Sequence, residues 1–319
     1  MREPPGIRRV AVIGAGTMGG GIAQAAAQSG FEVRLADAAA GAAERALSGI
    51  GARLRKGVEL GKVAPEAVEA ALGRIRLERS VGSAAAGADL VIEAVPEELE
   101  LKRSLFREVA AAAAPGALLA TNTSSISIAK IASAADPART LGLHFFNPVH
   151  VMSLVEVVTT PELAPGALAA AHAFVAALGK EAVTVRDSPG FATSRLGIAL
   201  GMEAIRMLEE GVASAPDIDR AMELGYRHPM GPLRLTDLVG LDVRLHIAEN
   251  LHRELRSDTF RPPQLLRRLV DEGRLGQKTG RGFYVWKDGK SVEPAPLEPA
   301  ESAPGRAATR GLKDDVPAR

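Results

Sequence analysis

The composition of this chain excludes several classes of protein. Its 319 residues suffice for about two domains, and a hydrophobic content of 46% provides material for ordinary globular cores. The 39 basic residues nearly cancel the 38 acidic ones, and only 3% of the residues are aromatic, so we expect no nucleic-acid partner.

Cysteine is absent, which excludes disulfides, thiolate metal sites and cysteine nucleophiles, and we predict no metal site. The first nine residues contain no apolar stretch of signal-peptide length, and the chain nowhere reaches about 18 consecutive apolar residues. We therefore expect a cytoplasmic protein without a membrane partner.

The first predicted elements are a strand, a glycine-rich turn and a helix. A β-branched run over residues 9–13 leads into Gly14-Ala15-Gly16-Thr17-Met18-Gly19, and small helix-favouring residues follow over 20–29. A second strand, 31–36, ends at Asp37. This order of strand, turn, helix, strand and acid is typical of a dinucleotide-binding fold.

Each position of this motif has a physical role in binding a dinucleotide. Gly14 permits the tight turn, Gly16 lets the backbone approach a pyrophosphate, and Gly19 lets the helix pack closely on the strand. The helix N-terminus supplies N–H donors. Asp37 would accept hydrogen bonds from the adenosine ribose and repel a 2′-phosphate, which predicts NAD rather than NADP as the cofactor.

A helical pattern over residues 39–62 carries a basic face that includes Arg53 and Lys56. Such a face is usually solvated, although it could also meet a polyphosphate substrate. A short helix, 66–73, and a short strand, 75–77, follow it.

The next strands end in polar clusters. The apolar run 88–94 is typical of a parallel strand covered on both faces, and the helix after it, 98–114, carries Lys102. The strand 117–120 ends in Thr121-Asn122-Thr123-Ser124-Ser125, where the carboxyl ends of parallel strands build ligand sites. For Ser125 we favour helix capping, and for Asn122 and Ser124 we favour the site.

A histidine and a glutamate lie on two successive predicted strands. His144 is near the end of the run 141–146, and Glu156 is within the run 152–159. If these strands are neighbours, Glu156 returns beside His144, and an imidazole oriented by a carboxylate is a general acid/base arrangement. A lone pair of this kind is more often an ordinary surface or core pair, so the hypothesis depends on the surrounding motifs.

The remainder of the chain is mostly helical. A helix over 161–179 and a strand over 181–185 precede the turn Asp187-Ser188-Pro189-Gly190. The helical patterns beyond it cover 191–210, 216–224, 235–255 and 264–272, and the glycine-rich turn 276–282 carries Lys278.

These patterns predict an α/β Rossmann-type N-terminal domain with an all-α C-terminal domain. We place the first domain at residues 1–187 and the second at 188–287. Proline, alanine and charge dominate residues 288–319, which predicts a disordered tail.

The order of motifs resembles that of the L-3-hydroxyacyl-CoA dehydrogenases, and the bacterial 3-hydroxybutyryl-CoA dehydrogenases are the nearest group. The motifs are GAGTMG, Asp37, NTSS, HFFNP, Glu156, DSPGF and GxKxGxGFY, and the resemblance covers roughly residues 7–286. The resemblance implies an NAD-binding domain, a helical domain that forms a homodimer, and reversible oxidation of a (3S)-3-hydroxyacyl-CoA to the 3-oxoacyl-CoA.

The resemblance also implies roles for individual residues. His144 matches the catalytic base, Glu156 its partner, and Ser124 the serine that binds the reacting oxygen. The positions that line the NAD site in the family correspond to Glu97, Lys102, Ser124, Asn147 and Lys278. Arg53 and Lys56 fall where the family receives the CoA phosphates.

Ser194 departs from the family pattern, because a catalytic asparagine is expected at this position. A serine hydroxyl can donate a hydrogen bond, but it is shorter and cannot present a carbonyl and an amine together. We therefore expect altered substrate positioning.

Two alternatives remain open. One is a related dehydrogenase that acts on a hydroxy acid or sugar acid without CoA, since the same two-domain plan serves other alcohols. The other is a dinucleotide-binding protein without turnover. The second alternative leaves the acid/base pair unexplained, because a binding protein needs only the glycine motif.

Overall fold

The computed structural model describes residues 6–296, which form two compact units that divide between Arg195 and Leu196. The strands are β1 (Arg9–Ile13), β2 (Glu32–Ala36), β3 (Ile75–Leu77), β4 (Leu90–Glu93), β5 (Leu118–Thr121), β6 (Thr140–Phe145), β7 (Leu154–Thr159), β8 (Glu181–Arg186), β9 (Tyr284–Lys287) and β10 (Lys290–Pro294). The helices of the first unit are α1 (Thr17–Gln28), α2 (Ala42–Glu59), α3 (Pro65–Gly73), α4 (Val81–Ala85), α5 (Leu99–Ala112), α6 (Ile128–Ala132) and α7 (Pro165–Ala177). The later helices are α8 (Thr193–Glu209), α9 (Ala215–Gly225), α10 (Pro232–Val239), α11 (Leu241–Leu255) and α12 (Gln264–Asp271).

The first unit is built on a sheet with the order β3-β2-β1-β4-β5-β6-β7-β8. All neighbouring strands are parallel except β6 and β7. Both faces of β1 are buried, because Val10 and Val12 lie in the core on one face and Ala11 and Ile13 in the core on the other. The prediction of a Rossmann-type domain is confirmed.

The strand order reverses around β1, since β2 lies on one side of it and β4 on the other. In open sheets of this kind the crevice at the carboxyl ends of the strands on either side of the reversal receives the ligand. Gly14 follows β1, and Asn122 follows β5 at the same end of the sheet. Backbone hydrogen bonds from Gly14 N to Ala36 O and from Asn122 N to Glu93 O, both 2.8 Å, connect these strand ends.

The single antiparallel contact of the sheet brings two predicted residues together. In the pairing of β6 with β7, His144 lies directly opposite Glu156. Side chains directly opposite each other in such a ladder point to the same face of the sheet. The predicted return of the chain is therefore confirmed.

As far as Pro296, the last residue that the structure describes, the second unit is helical apart from the hairpin of β9 and β10. Its core is formed by Ile198, Met202, Leu233, Leu241, Leu266 and Phe283, among others. The prediction of one helix over 235–255 was wrong, because two helices, α10 and α11, meet at Gly240, whose φ is +106°. Backbone of that conformation cannot continue a right-handed helix.

The tail prediction also needs correction over its first residues. Lys290–Pro294 forms β10 and pairs with β9, and Ala295 is buried with its N–H bonded to Phe283 O at 2.9 Å. Pairing with a strand that is anchored in the helical core orders this segment despite its polar composition. The rest of the predicted tail, residues 297–319, lies outside the described residues.

Candidate active site

In the turn after β1, two glycines have no space for a side chain and a third has open space beside it. A Cβ on Gly14, whose φ is +101°, would lie 2.5 Å from the carbonyl oxygen of Ala94, and a Cβ on Gly19 would lie 1.7 Å from that of Gly14. No atom lies within 4 Å of the corresponding position on Gly16. Gly16 therefore leaves the space that close approach of a pyrophosphate requires.

The helix after this turn begins without a side-chain cap among the described residues. Gly16 is the residue before α1, and the first turn of α1 carries no acidic side chain. The N–H groups of the first turn can therefore bind an anion, and the helix dipole favours negative charge at this end. The residues present thus fit a dinucleotide.

Asp37 has a structural contact in addition to its predicted ribose contact. Its Oδ2 accepts from the Ala15 N–H at 2.6 Å, and its Oδ1 accepts from the Ala39 N–H at 2.8 Å. The carboxylate ties the glycine turn to the end of β2 and retains lone pairs for ribose hydroxyls. The cleft beside it is also lined by Thr17 and Arg45.

The two predicted CoA contacts have different surroundings. Arg53 lines the same cleft as Asp37, and its Nε donates to Gln24 Oε1 at 2.8 Å. Lys56 forms an exposed ion pair of 2.7 Å with Glu59, and 67% of its side chain is accessible. The structure therefore brings Arg53 to the nucleotide cleft but leaves Lys56 on the exposed surface of α2.

His144 and Glu156 form a buried pair. Nδ1 of His144 lies 2.7 Å from Oε2 of Glu156, and the two residues are 7% and 0% exposed. A hydrogen bond from Nδ1–H to the carboxylate leaves Nε2 as an acceptor, which is the form that a general base needs. The rings of Phe146 and Phe191 pack against the imidazole, with centroid distances of 4.4 and 5.8 Å.

Glu156 receives three further hydrogen bonds. Its Oε1 accepts from the N–H groups of Ala192 and Thr193 at 3.1 and 2.8 Å, and its Oε2 accepts from the Thr193 hydroxyl at 3.0 Å. Burial alone would raise the pKa of Glu156, but hydrogen bonds from His144 and Thr193 and the nearby imidazole hold this pKa below its usual value. The carboxylate is therefore ionised at neutral pH and can stabilise an imidazolium.

A buried ion pair lies at the end of β4. Lys102 Nζ is 2.6 Å from Glu93 Oε1, and both side chains are 1% exposed. The other oxygen of Glu93 accepts from the Thr121 hydroxyl at 2.7 Å. Lys102 also reaches the Val95 carbonyl oxygen and Glu97 Oε2, each at 3.3 Å. Because its donors have partners within the chain, Lys102 organises this loop, and its direct contact with NAD stays a prediction.

Glu97 accepts several hydrogen bonds from the loop that follows β5. Its Oε1 accepts from the Thr123 hydroxyl at 2.5 Å and from the N–H groups of Ser124 and Ser125 at 3.1 Å each. Burial opposes the ionisation of Glu97, but the charge of Lys102 and these hydrogen bonds lower its pKa. Glu97 is thus a fixed anion that holds the loop.

Ser125 belongs to this loop rather than to a helix cap. Its hydroxyl donates to Glu97 at 3.0 Å, whereas the cap of α6 is Ser127. The capping prediction for Ser125 was therefore wrong. Nothing in the sequence distinguishes the two serines, because Glu97 comes from a distant loop.

Asn122 and Ser124 remain available for a ligand in part. Asn122 Oδ1 accepts from the Phe145 N–H at 2.9 Å, which fixes the amide next to the residue that follows His144. The amide NH₂ is left for another acceptor. Ser124 is half-buried, and within residues 6–296 its hydroxyl has no hydrogen-bond partner.

Three predicted site residues, Asn147, Ser194 and Lys278, do not belong to the loops that follow β4 and β5. Asn147 is exposed two residues after Phe145, and Ser194 is half-buried in the first turn of α8. Lys278 is in the second unit, where its Nζ lies 2.6 Å from each oxygen of Asp242. The roles of these three residues stay predictions.

Sequence reasoning missed two residues that shape the site, Glu93 and Thr193. Glu93 ends an apolar strand, and a charge in that position could have been recognised as a candidate buried ion. Thr193 precedes Ser194 and carries no signal of its own, since its partner Glu156 is distant in sequence.

The described part of the chain contains no group of three or more histidine, aspartate or glutamate side chains that could hold a metal ion. None of the helices described there has the length and hydropathy that a membrane-spanning helix requires.

Comparison with known proteins shows the family to which the chain belongs. Residues 9–188 match the NAD-binding domain of 3-hydroxyacyl-CoA dehydrogenase, and residues 190–286 match its C-terminal domain. The chain is 43% identical over 287 residues to the 3-hydroxybutyryl-CoA dehydrogenase of Bradyrhizobium diazoefficiens, a match that covers 90% of this chain and 98% of the relative. It is 42% identical over 287 residues to the probable 3-hydroxybutyryl-CoA dehydrogenase of Bacillus subtilis, covering 88% and 98% of the two chains.

A solved structure gives the same result. The (S)-3-hydroxybutyryl-CoA dehydrogenase from Ralstonia eutropha superposes with a TM-score of 0.84 at 40% identity, covering 88% of this chain and 100% of the other. Sequence and fold therefore agree over most of both units, and the chain belongs to the 3-hydroxyacyl-CoA dehydrogenase family.

Proposed function

We propose that the protein is an NAD-dependent dehydrogenase that interconverts (3S)-3-hydroxyacyl-CoA and 3-oxoacyl-CoA. The observation that carries this proposal is the 2.7 Å contact between His144 Nδ1 and Glu156 Oε2. The contact lies in a chain that also contains the NAD-binding domain of the family. A protein that only binds a dinucleotide has no need of a buried acid/base pair.

His144 moves the proton in this mechanism. Its Nε2 accepts the proton of the substrate 3-hydroxyl, and Glu156 holds the ring and stabilises the imidazolium that forms. NAD, when bound, supplies the acceptor for the hydride from C3. In the reverse direction the imidazolium returns the proton to the oxygen of the 3-oxo group.

Two serines position the reacting oxygen. The Ser124 hydroxyl, which has no partner within residues 6–296, donates to the substrate oxygen. Ser194 provides one further hydroxyl at the start of α8, where the family pattern has an asparagine. We assign Ser194 a weaker positioning role, because a hydroxyl cannot donate and accept through separate groups as an amide does.

The cofactor is held by the turn and by the loops around it. The open position at Gly16 and the uncapped first turn of α1 receive the pyrophosphate, and Asp37 receives the ribose. Around them we assign the remaining contacts to Ala15, Thr17, Met18, Glu97, Lys102, Asn122, Asn147 and Lys278.

A substrate comparison tests the proposed activity. We expect NADH to be oxidised with acetoacetyl-CoA at a far higher kcat/KM than with free acetoacetate, because the CoA moiety supplies binding energy remote from the reacting carbon. Equal values for the two substrates would instead support a dehydrogenase of free hydroxy acids. Tight NADH binding without oxidation by any 3-oxoacyl-CoA would support a binding protein without turnover.

We also propose that the helical unit forms a homodimer. Several large apolar side chains are exposed on its helices, which is a common property of association surfaces. They are Leu196 at 70%, Leu238 at 43%, Val239 at 41% and Val243 at 41% exposure. Light scattering on a size-exclusion column tests this proposal, and a Leu196→Glu variant should elute as a monomer if these side chains meet a second copy.

A further inference from the structure

The turn over residues 148–152, which we call the histidine turn, follows β6 and carries the exposed side chain of His150. Met152 N donates to the Pro148 carbonyl oxygen at 3.0 Å and closes the turn. Lys180 Nζ donates to the carbonyl oxygens of Val149 and Met152 at 2.6 Å each and fixes the turn further. His150 itself forms no hydrogen bond or ion pair within residues 6–296. The turn therefore holds in place a side chain whose ring nitrogens are free for a ligand.

Two glycines of α1 bring the histidine turn close to Arg53 of α2. A Cβ on Gly21 would lie 2.8 Å from Val149 Cγ2, so the lack of a side chain lets the turn pack directly on α1. A Cβ on Gly20 would lie 3.9 Å from Arg53 Nη2. Because Gly20 and Gly21 are adjacent in α1, the guanidinium and the histidine turn cover neighbouring parts of the same helix surface. All of these residues belong to the first unit.

Two cations act on His150 without an opposing carboxylate. Burial lowers the pKa of His150, and the charges of Arg53 and Lys180 lower it further. Arg53 Nε donates to the neutral Gln24 Oε1 at 2.8 Å, and Lys180 donates to backbone carbonyls. Within residues 6–296 neither cation forms an ion pair with a carboxylate. Like charges in one place repel each other, so the arrangement is explained if an anion from outside the chain binds between them.

Arg53 is accessible to such an anion. It lines a cleft of about 450 Å³ together with the small residues Gly20, Ala46 and Gly49. Its Nη groups form no hydrogen bond within residues 6–296, because the contact with Gln24 uses Nε. A guanidinium with free Nη donors can bind two oxygens of one phosphate group, which matches its planar geometry.

We propose that Arg53 and His150 together bind a phosphate monoester, and that His150 takes up a proton as the phosphate binds. A phosphate monoester carries a charge of about −1.5 to −2 at neutral pH, which supplies the counter-charge that this group of cations lacks. The protonated imidazole then donates a charge-assisted hydrogen bond to the phosphate. Lys180 takes part as a positioning residue, because its donors hold the histidine turn.

This inference rests on the proposed function for the source of the phosphate monoester. CoA carries such a group on the 3′-oxygen of its ribose, and the acyl-CoA substrate brings it to the enzyme. NADP carries one on the 2′-oxygen, although Asp37 disfavours that cofactor. The two sources share their chemistry and differ in the ligand that responds to His150.

Ligand pairs that differ by one phosphate test the inference without turnover. Calorimetric titrations compare CoA with 3′-dephospho-CoA, and NADPH with NADH. We expect CoA to bind at least about tenfold more tightly than 3′-dephospho-CoA at about pH 6, since hydrogen bonds between charged groups contribute at least that factor. If NADPH instead binds more tightly than NADH while the CoA pair shows no difference, the site is retained and its phosphate comes from the dinucleotide.

Single variants identify the residues responsible. His150→Gln and Arg53→Gln should each remove most of the advantage of the phosphorylated ligand. Arg55→Gln is the matched control for the guanidinium, because Arg55 is exposed on α2 and lines a different cleft. His172→Gln is the control for the imidazole, because His172 lies on α7, outside the histidine turn. Equal affinity for both members of each pair in wild type would overturn the inference, and so would an advantage that survives unchanged in His150→Gln or in Arg53→Gln.

The pH dependence of binding tests the uptake of the proton. Wild type and His150→Gln are titrated with the same phosphorylated ligand, so the ionisation of its phosphate cancels from the ratio of the two Kd values. The Kd of His150→Gln divided by that of wild type should fall at least about threefold between about pH 6 and about pH 8.5, because the lowered pKa of His150 disfavours the charged ring as the pH rises. A ratio that stays constant over this range would overturn the inference.

Activity separates this inference from the proposed function. Failure to reduce any 3-oxoacyl-CoA would contradict the proposed function, while the titrations with CoA and 3′-dephospho-CoA still decide the role of His150. Reduction of acetoacetyl-CoA together with equal binding of both members of each pair would overturn the phosphate site and leave the dehydrogenase intact.

Discussion

Thr193 binds Glu156 through both its N–H, at 2.8 Å, and its hydroxyl, at 3.0 Å, while the same carboxylate holds His144 at 2.7 Å. The start of α8 therefore fixes the carboxylate that orients the proposed base. This relationship makes Thr193 a positioning residue, since it acts on the imidazole only through Glu156.

A Thr193→Val variant tests this role. It keeps the backbone N–H but loses the hydroxyl donor, and a hydrogen bond to a charged group contributes about 1.5–3 kcal/mol. We expect kcat to fall about ten- to a hundredfold with a smaller change in KM. Thr193→Ser should restore most of the rate. A loss of thermal stability with unchanged kcat would indicate a purely structural contact.

Glu156 also links the site to the acid stability of the protein. Its pKa in the folded state is below the usual value of 4.5, so its contribution to stability is present above that value and is lost as the pH falls through the lower folded pKa. We expect the free energy of unfolding of wild type to exceed that of Glu156→Gln at neutral pH, and the difference to shrink in acid below pH 4.5. Urea titrations at several pH values measure it, and a difference that grows in acid would contradict the assignment.

Replacement of Asp37 should change cofactor affinity and selectivity together. An Asp37→Ala variant loses the ribose acceptor and the 2.6 Å contact that holds the Ala15 N–H. We expect the Kd for NADH to rise about tenfold or more and the ratio of NADPH to NADH affinity to increase. Asp136→Asn, which changes a carboxylate that caps a short turn, is the matched control. Fluorescence titration with both nucleotides measures the effect, and unchanged selectivity would remove Asp37 from the ribose site.

The buried pair of Glu93 and Lys102 should respond strongly to removal of one partner. Lys102→Met leaves Glu93 charged and uncompensated at 1% exposure, which costs about 3–5 kcal/mol of stability. A double variant, Glu93→Leu with Lys102→Met, should recover part of that loss, because it removes both charges. Unfolding by denaturant is measured for wild type, Lys102→Met, Glu93→Leu and the double variant, and it gives the coupling energy between the two charges. If the stability lost in the double variant equals the sum of the two single losses, the two charges do not interact.

Local patterns were sufficient to predict the nucleotide-binding part of the fold. Each glycine of the turn from Gly14 to Gly19 has a role that depends on its own backbone and its immediate neighbours, and Asp37 follows at the end of the next strand. The pairing of His144 with Glu156 was also predictable, because the two strands are adjacent in sequence and the short connection leaves few other arrangements.

Contacts between distant segments could not be predicted in the same way. Thr193 looks like any helix-start residue until Glu156 is placed beside it, and Ser125 looks like a cap until Glu97 is known to accept from it. Arg244 of α11 is only 7% exposed, although a basic residue on a helix is usually solvated. Its burial could not be predicted, because it depends on Gly197 of another helix, where a Cβ would lie 3.3 Å from Arg244 Nη1. The break at Gly240 was missed because apolar periodicity continues across it.

The most direct test of the account is the single-turnover reduction of acetoacetyl-CoA by enzyme that already holds NADH, in wild type and in His144→Gln. The control is His172→Gln, which removes a half-buried histidine that lies outside the proposed site and contacts the Thr184 hydroxyl at 2.7 Å. If His144 is the proton carrier, the rate falls about a hundred- to ten-thousandfold while NADH affinity is unchanged, and His172→Gln retains the wild-type rate. A His144→Gln enzyme that binds NADH normally and reduces acetoacetyl-CoA at the full rate would contradict the account.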